Sequence, residues 1–374
     1  MKIVIAGAGE VGTHLAKLLS KEGLDIILID ADETKLQFVD ANYNLMTLTG
    51  KPTSFKVLKN ANVNGCDLFI AVTPFETRNI VACQFAKKLG ARKTVARIDN
   101  YEFQKPQYRA YFAELGVDEL IYPENFASLE IITALNHTWV RNWFELYNGE
   151  LILSGIKLRK NAKIIGLQLK DLARSGHPFH ICAIRRRHET IIPRGDDHLE
   201  EDDIAYFIFQ KETIPQIMEI CGKTAQEVKR ILIMGGSRIG EQLTNMLDDS
   251  YRIKIIESDR EKCYRLIEKI PENCTVINGD ARDIDLLKEE GIEDYDAFIA
   301  LPDSSETNIL ACLTAKEFGV KKTIAEVENI QFIAEAENLN IGTVINKKLL
   351  ASSIIFLILL DFGSSSANGV ALAA

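Results

Sequence analysis

The chain is 374 residues long, 47% hydrophobic and 26% charged, with 23 glycines and 9 prolines; at about 150 residues per domain this suffices for two or three cores and excludes a disordered or fibrous polypeptide. Acidic residues outnumber basic ones 53 to 44, for a formal charge of −9, which argues against nucleic acid or any partner held by a broad positive field. Seven scattered cysteines with no Cys-x-x-Cys pair fit reduced thiols in a cytosol, with Cys83 and Cys312 expected as small buried hydrophobes.

The N-terminus, MKIVIAGAGE, has one lysine and a short apolar run that breaks into glycines, unlike a secretory signal. From there, short Val/Ile/Leu-rich runs alternate with helical patterns: residues 3–6 then 11–21, 26–30 then 33–40, 68–73 then 77–89, and 93–98. The strand runs are continuously apolar instead of alternating, as in a parallel sheet covered by helices on both faces. The middle of the chain has a different rhythm, with strand-like runs at 143–146, 151–156, 179–185 and 204–210, a helix near 167–175 and another at 215–221. A small α+β lobe is expected there. The acidic run 196–203 reads as a solvated turn or, alternatively, a cation site. Toward the C-terminus the strongest apolar run, 354–360, is seven residues, far below the roughly 20 a membrane-spanning helix requires.

The chain repeats itself. Residues 67–100, DLFIAVTPFETRNIVACQFAKKLGARKTVARIDN, align without gaps on 296–329, DAFIALPDSSETNILACLTAKEFGVKKTIAEVEN, with 15 of 34 positions identical. KIVIAGAGEVG (2–12) matches RILIMGGSRIG (230–240), and TGKPTS (49–54) matches NGDARD (278–283). A period this long marks a duplicated domain and not a solenoid, whose units run about 20 to 50 residues. The expected fold is therefore α/β, with two doubly wound Rossmann-like parallel-sheet domains, 1–140 and 226–362, an intervening small α+β domain, 141–225, and a tail, 363–374.

The loop Gly7, Ala8, Gly9, Glu10, Val11, Gly12 follows a strand and opens a helix. In that setting Gly7 permits the tight turn, Gly9 lets backbone approach a pyrophosphate, Gly12 allows close helix–strand packing, and the helix N-terminus offers N–H groups to phosphate. Asp30 ends the next strand, where a carboxylate accepts from ribose hydroxyls and repels a 2′-phosphate, favouring NAD(H) or an adenine nucleotide. In the second copy Gly235 and Gly240 keep the outer positions and Ser237 replaces the middle glycine. That side chain hinders the usual pose, or its hydroxyl itself bonds phosphate. Glu257 takes the ribose-carboxylate position. Arg97, which aligns with Glu326, ends a strand at the ligand-binding edge, where it either neutralises phosphate or makes a surface ion pair. Thr73 and Asn79 fall at the same edge, facing a ligand or capping a helix. The six histidines, 14, 137, 177, 180, 188 and 198, are dispersed, and neither a catalytic constellation nor a metal pair is expected.

Together GAGEVG, Asp30, the Thr49–Gly50 turn and the DLFIAVT…ETRNIVAC…ARKTVARI stretch resemble the KTN, or RCK N-terminal, domain, and the tandem order with a small lobe resembles the regulatory subunits of bacterial Trk-type potassium uptake. The resemblance implies a non-enzymatic cytosolic assembly, tetrameric in KTN units as a dimer of tandem chains or higher, peripheral on the inner face of the membrane and docked on a Trk/Ktr-type potassium translocation subunit. It implies binding of NAD(H) and of ATP or ADP, with Gly7, Gly9, Gly12, Asp30, Thr73 and Arg97 lining the first site. The small lobe resembles the RCK C-terminal module, which binds a further effector or dimerises. Family members carry a second small C-lobe, for which no room is expected after residue 362. An NAD-dependent oxidoreductase is the alternative reading of the same loop.

Overall fold

The computed structural model describes residues 1–147, 149–187 and 189–364; His188 and the end of the tail lie outside the described residues. The chain folds as two compact units, one of Met1–Phe126 joined by the C-terminal helix from Lys347, the other of Ala127–Asn346.

In the first unit β1 (Lys2–Ala6), α1 (Glu10–Ser20), β2 (Asp25–Asp30), α2 (Glu33–Asn42), β3 (Met46–Thr49), α3 (Phe55–Asn60), β4 (Leu68–Ala71), α4 (Glu76–Leu89), β5 (Lys93–Arg97), α5 (Pro106–Glu114) and β6 (Glu119–Ile121) follow in order. Their six strands form one parallel sheet, β3-β2-β1-β4-β5-β6. Both faces are buried, which explains the continuous apolar runs. Ile3, Ile5, Leu28, Ile70 and Val95 belong to one core, and Val4, Ala6, Ile27, Ile29, Phe69 and Ala71 to the other. The strand order reverses between β1 and β4, opening a crevice at the carboxyl ends, which is where such sheets bind ligands.

A helix, α6 (Pro123–Asn136), leads on to the second unit. There β7 (Asn142–Leu146), β8 (Leu151–Lys157), α7 (Leu169–Arg174), β9 (Phe179–Arg186), β10 (Glu189–Ile191), β11 (Ile204–Phe209) and α8 (Ile214–Ile220) build an antiparallel lobe with sheet order β10-β9-β11-β8-β7. Its core gathers Trp139, Trp143, Ile156, Phe207 and Phe209. The acidic stretch before β11 is largely a turn, with Asp203 buried against Arg186 at 2.8 Å; among the described residues no cluster able to hold a metal ion is present.

The second Rossmann-like sheet follows, from β12 (Arg230–Met234), α9 (Arg238–Met246), β13 (Arg252–Glu257), α10 (Arg260–Ile267), β14 (Cys274–Asn278), α11 (Ile284–Glu289), β15 (Ala297–Ala300), α12 (Ser305–Glu317), β16 (Lys322–Glu326), α13 (Gln331–Asn338) and β17 (Thr343–Ile345). Its order, β14-β13-β12-β15-β16-β17, repeats the first. The doubly wound pair of parallel sheets with an α+β lobe between them is thus the observed architecture.

Chain order alone puts residues up to 362 with the second repeat. The last helix, α14 (Lys347–Ser364), instead buries Ala351, Ile355 and Leu359 in the first unit's core beside Leu15 and Leu19 of α1. Its Ser352 Oγ donates to the Val11 carbonyl at 3.4 Å. Ser128 of α6, the equivalent residue after the first repeat, donates in the same way to the Ile239 carbonyl of α9 at 3.3 Å. Each repeat's first helix therefore carries the terminal helix of the other repeat. Among the described residues no helix is long and apolar enough to cross a membrane.

Candidate functional site

Gly7 sits at φ +117, where L side chains rarely go, and an added Cβ would meet the Val72 backbone at 3.0 Å. A Cβ on Gly12 would lie 1.9 Å from the Gly7 carbonyl oxygen, so the turn of α1 presses directly on the loop. Gly9 is different: a Cβ there would meet nothing within 4 Å. Gly9 is also the N-cap of α1 and, having no side chain, leaves the first N–H groups of the helix without a cap from its own N-cap residue. Two locked glycines thus hold an unobstructed third, and the donors and dipole of the helix make this space suited to an anion.

Asp30 is tied into the loop. Its Oδ2 accepts from the Ala8 N–H at 2.6 Å and its Oδ1 from the Asp32 N–H at 2.9 Å. A carboxylate oxygen has two lone pairs, so each oxygen keeps acceptor capacity for a ribose hydroxyl. Glu10 opens α1, and its carboxylate meets Lys348 Nζ of α14 at 2.7 Å. Sequence reading missed Lys348, because nothing in the apolar C-terminal pattern assigns that helix to the first sheet. Val11 contributes its carbonyl to Ser352.

Thr73 and Asn79 do not cap a helix. The N-cap of α4 is Phe75, with no side-chain bond. Asn79 instead joins the carboxyl ends of two strands: its Oδ1 accepts from the Thr73 N–H (2.9 Å) and hydroxyl (2.6 Å), and its Nδ2 donates to the Thr73 (2.9 Å) and Arg97 (2.8 Å) carbonyls. Arg97 is paired with Asp99 at 2.8 Å and reaches the Thr73 carbonyl at 3.4 Å. The structure thus brings Thr73 and Arg97 together at the edge, with Thr73 buried.

In the second repeat Gly235 keeps the positive φ, +88. Ser237 caps α9, its Oγ accepting from the Gly240 N–H at 3.4 Å, so the hydroxyl serves the helix that in the first repeat is left open. Glu257 is 5% exposed; its oxygens accept from the Gly236 N–H at 2.8 Å and the Asp259 N–H at 2.9 Å, and Lys262 stands 3.0 Å away. Burial works to raise its pKa, but these donors outweigh it and hold the carboxyl below its ordinary value. Pro302 replaces Thr73 and supplies neither N–H nor hydroxyl. Asn308, fully buried in the place of Asn79, donates to the Pro302 and Glu326 carbonyls, while its Oδ1 has no hydrogen-bond partner among the described residues.

His137 stacks on Trp143 with ring centroids 3.7 Å apart, and burial lowers its pKa; His177 stacks on Phe179. All seven cysteines are free, with Cys83 and Cys312 buried, and burial pushes the Cys312 thiol up to about 12.

Two doubly wound sheets, each opening on a glycine turn at its switch point and separated by an antiparallel lobe, define a tandem Rossmann-type domain protein. The TrkA-N domain family matches residues 3–123 and again 231–347, and the TrkA-C domain family matches 153–222. The chain belongs to the TrkA-N/TrkA-C family. It is 32% identical over 336 residues to the Trk system potassium uptake protein TrkA of Halomonas elongata, covering 89% of this chain and 73% of that one. The same-named protein of Haemophilus influenzae is 34% identical over 338 residues, again 89% and 73%. Among solved structures, the GsuK RCK domain superposes with a TM-score of 0.66 at 15% identity, covering 97% of this chain and 77% of that one. The GsuK channel bound to NAD gives 0.67 at 15% identity, over 97% and 64%. At this identity the structural likeness establishes the fold.

Proposed function

We propose that the chain is a nucleotide-binding regulatory subunit of a Trk-type potassium uptake system, holding NAD(H), and also ATP or ADP, at the first glycine loop and gating a membrane potassium translocation subunit. The observation that carries the nucleotide reading is the loop itself: Gly7 and Gly12 are sterically fixed, Gly9 leaves the mouth of α1 open, and Asp30 stands bonded at its rim. The family's potassium-uptake members and an RCK channel solved with NAD and another time with ADP support the same reading. Gly7, Ala8, Gly9, Glu10, Val11, Gly12 and Asp30 form the proposed cradle, with Thr73 and Arg97 on its far edge. Gly235, Ser237, Gly240 and Glu257 form the weaker second cradle.

No bond is made or broken. Thr73, Asn79 and Arg97 bond one another and Asp99, an arrangement that serves to join the strand ends. A ligand with unequal affinity for two packings of the assembly is sufficient to bias a pore. The subunit acts in the cytoplasm, peripheral on the inner membrane face, as a homo-oligomer with a tetrameric arrangement of TrkA-N units. Restoration of growth on low potassium in a bacterium deleted for its own Trk regulatory subunit tests this. Wild type restores growth and Gly9→Asp does not. Equal rescue by both, or turnover of NADH with carbonyl substrates at ordinary dehydrogenase rates, contradicts the proposal.

A further inference from the structure

The two repeats treat the same pair of lysines in opposite ways. In the first, Lys87 meets both oxygens of Asp118 at 3.0 and 2.8 Å, and Lys93 lies 3.2 Å from Glu119. The strand register transfers these positions, since Val95 pairs with Glu119 as Ile324 pairs with Thr343. Lys316 and Lys322 stand where Lys87 and Lys93 stand, but the two acids have become Gly342 and Thr343. Lys316 now donates to the Asn340 carbonyl, and Lys322, 7% exposed, to Thr343 Oγ1 at 3.1 Å. The second repeat has kept the cations and lost the two acids that pair with them in the first.

The lysines' partners Asn340 and Thr343 line a cavity of about 390 Å³, bounded by β7, β8 and β9 on one side and by the end of α13 and the segment after it on the other. Its wall carries Arg141, Lys157, Arg159, Arg185 and Arg187. Three acids share that wall: Glu337 pairs with Arg185, Asp202 is divided between Lys157 (3.2 Å) and Arg159 (3.0 Å), and Glu130 faces Lys322. Among the described residues Arg141 donates to two neutral oxygens, the Gly342 carbonyl and Asn340 Oδ1. Five cations against three acids line the wall, and two more lysines stand behind it. Burial, together with the neighbouring guanidinium and ammonium groups, depresses Arg141 and Lys316, and pushes Lys322 down to about 7. Cations crowded in this way repel one another until an anion answers them.

We propose that this cavity binds a small molecule carrying two or more negative charges on phosphate, at a site separate from both glycine loops. Guanidinium forks suit phosphate oxygens in bidentate geometry, and the volume falls within the range of about 300–1,000 Å³ typical of small-molecule pockets. One wall comes from the antiparallel lobe and the other from the second Rossmann-like sheet, so the ligand ties the two together as an effector does.

The probe is inorganic pyrophosphate, titrated calorimetrically into the full chain in a Gly9→Asp background, where the first glycine loop is blocked. Saturable binding is expected. Arg159 is half-buried and Arg187 exposed, so Arg159→Gln/Arg187→Gln should fold and should weaken binding by about tenfold. Asp202→Asn frees Lys157 and Arg159 and should tighten it at least about twofold; Asp202 is at φ +68, a conformation asparagine tolerates. Absence of saturable binding in the Gly9→Asp background, or an affinity unmoved by both substitutions, overturns the proposal. Should the arginine double variant not fold, Asp202→Asn decides alone: tighter binding upholds the site, and unchanged or weaker binding rejects it.

Discussion

Gly9 and Ser237 occupy the same place in the two glycine loops, and the difference between them is one hydroxymethyl group. At Gly9 the helix mouth is open; at Ser237 the side chain caps the helix from within. Gly9→Asp should therefore fold with a stability change within about 0.5 kcal/mol, since its Cβ meets nothing, while placing a carboxylate where phosphate belongs. Gly12→Ala should cost about 1–3 kcal/mol in a urea melt, because its Cβ collides with the Gly7 carbonyl. A near-neutral Gly12→Ala contradicts the steric account. Asn79 and Asn308 offer a second matched pair. Asn79→Ala removes four hydrogen bonds and Asn308→Ala only two, so the first should destabilise by about 1–2 kcal/mol more. Equal losses argue against the orphaned Asn308 carbonyl. The tight turn at Gly7 and the close packing at Gly12 were legible from spacing; the silent consequence of Pro302 was not, because it shows only when the partner of an amide oxygen is traced in space.

At the scale of elements, long apolar strands and their following helices were legible because burial on both faces leaves an unbroken hydrophobic signature. The short strands β3, β6 and β17, of three or four residues, were not, since β3 has no fully buried position and tertiary pairing, not composition, makes it a strand. The destination of α14 was equally hidden: its apolar pattern announces a buried helix without saying where. Ile355 is fully buried in the first unit's core. Ile355→Ala should cost about 2–5 kcal/mol and lower amide protection in α1, leaving β12 and β15 protected. Loss confined to the second unit contradicts this assignment.

For the whole molecule, duplication followed by divergence in charge is the theme: the first repeat offers an open helix mouth, and the second keeps two lysines without the acids that pair with them in the first. Lys322 makes the latter measurable. Its folded pKa, about 7, lies below its ordinary 10.5, so between those values the unfolded chain binds the extra proton. Stability attributable to Lys322 is then present above about pH 10.5 and lost as pH falls toward 7. Burial is the main cause of the shift; Arg141 of the β7 approach and Lys316 of α12 add to it, and Glu130 of α6 opposes it. Lys322→Met should raise stability at pH 7 by about 1–4 kcal/mol, with the gain shrinking as pH rises; a gain independent of pH contradicts the buried-cation account. The central claim, that the first glycine loop reads a nucleotide, is tested most directly by calorimetric titration of NADH and ADP into wild type, Asp30→Ala and Gly9→Asp. Saturable binding by wild type, weakened at least about tenfold in Asp30→Ala and abolished in Gly9→Asp, is the predicted result; no binding by wild type at about 1 mM ligand, or undiminished binding in Gly9→Asp, would contradict it.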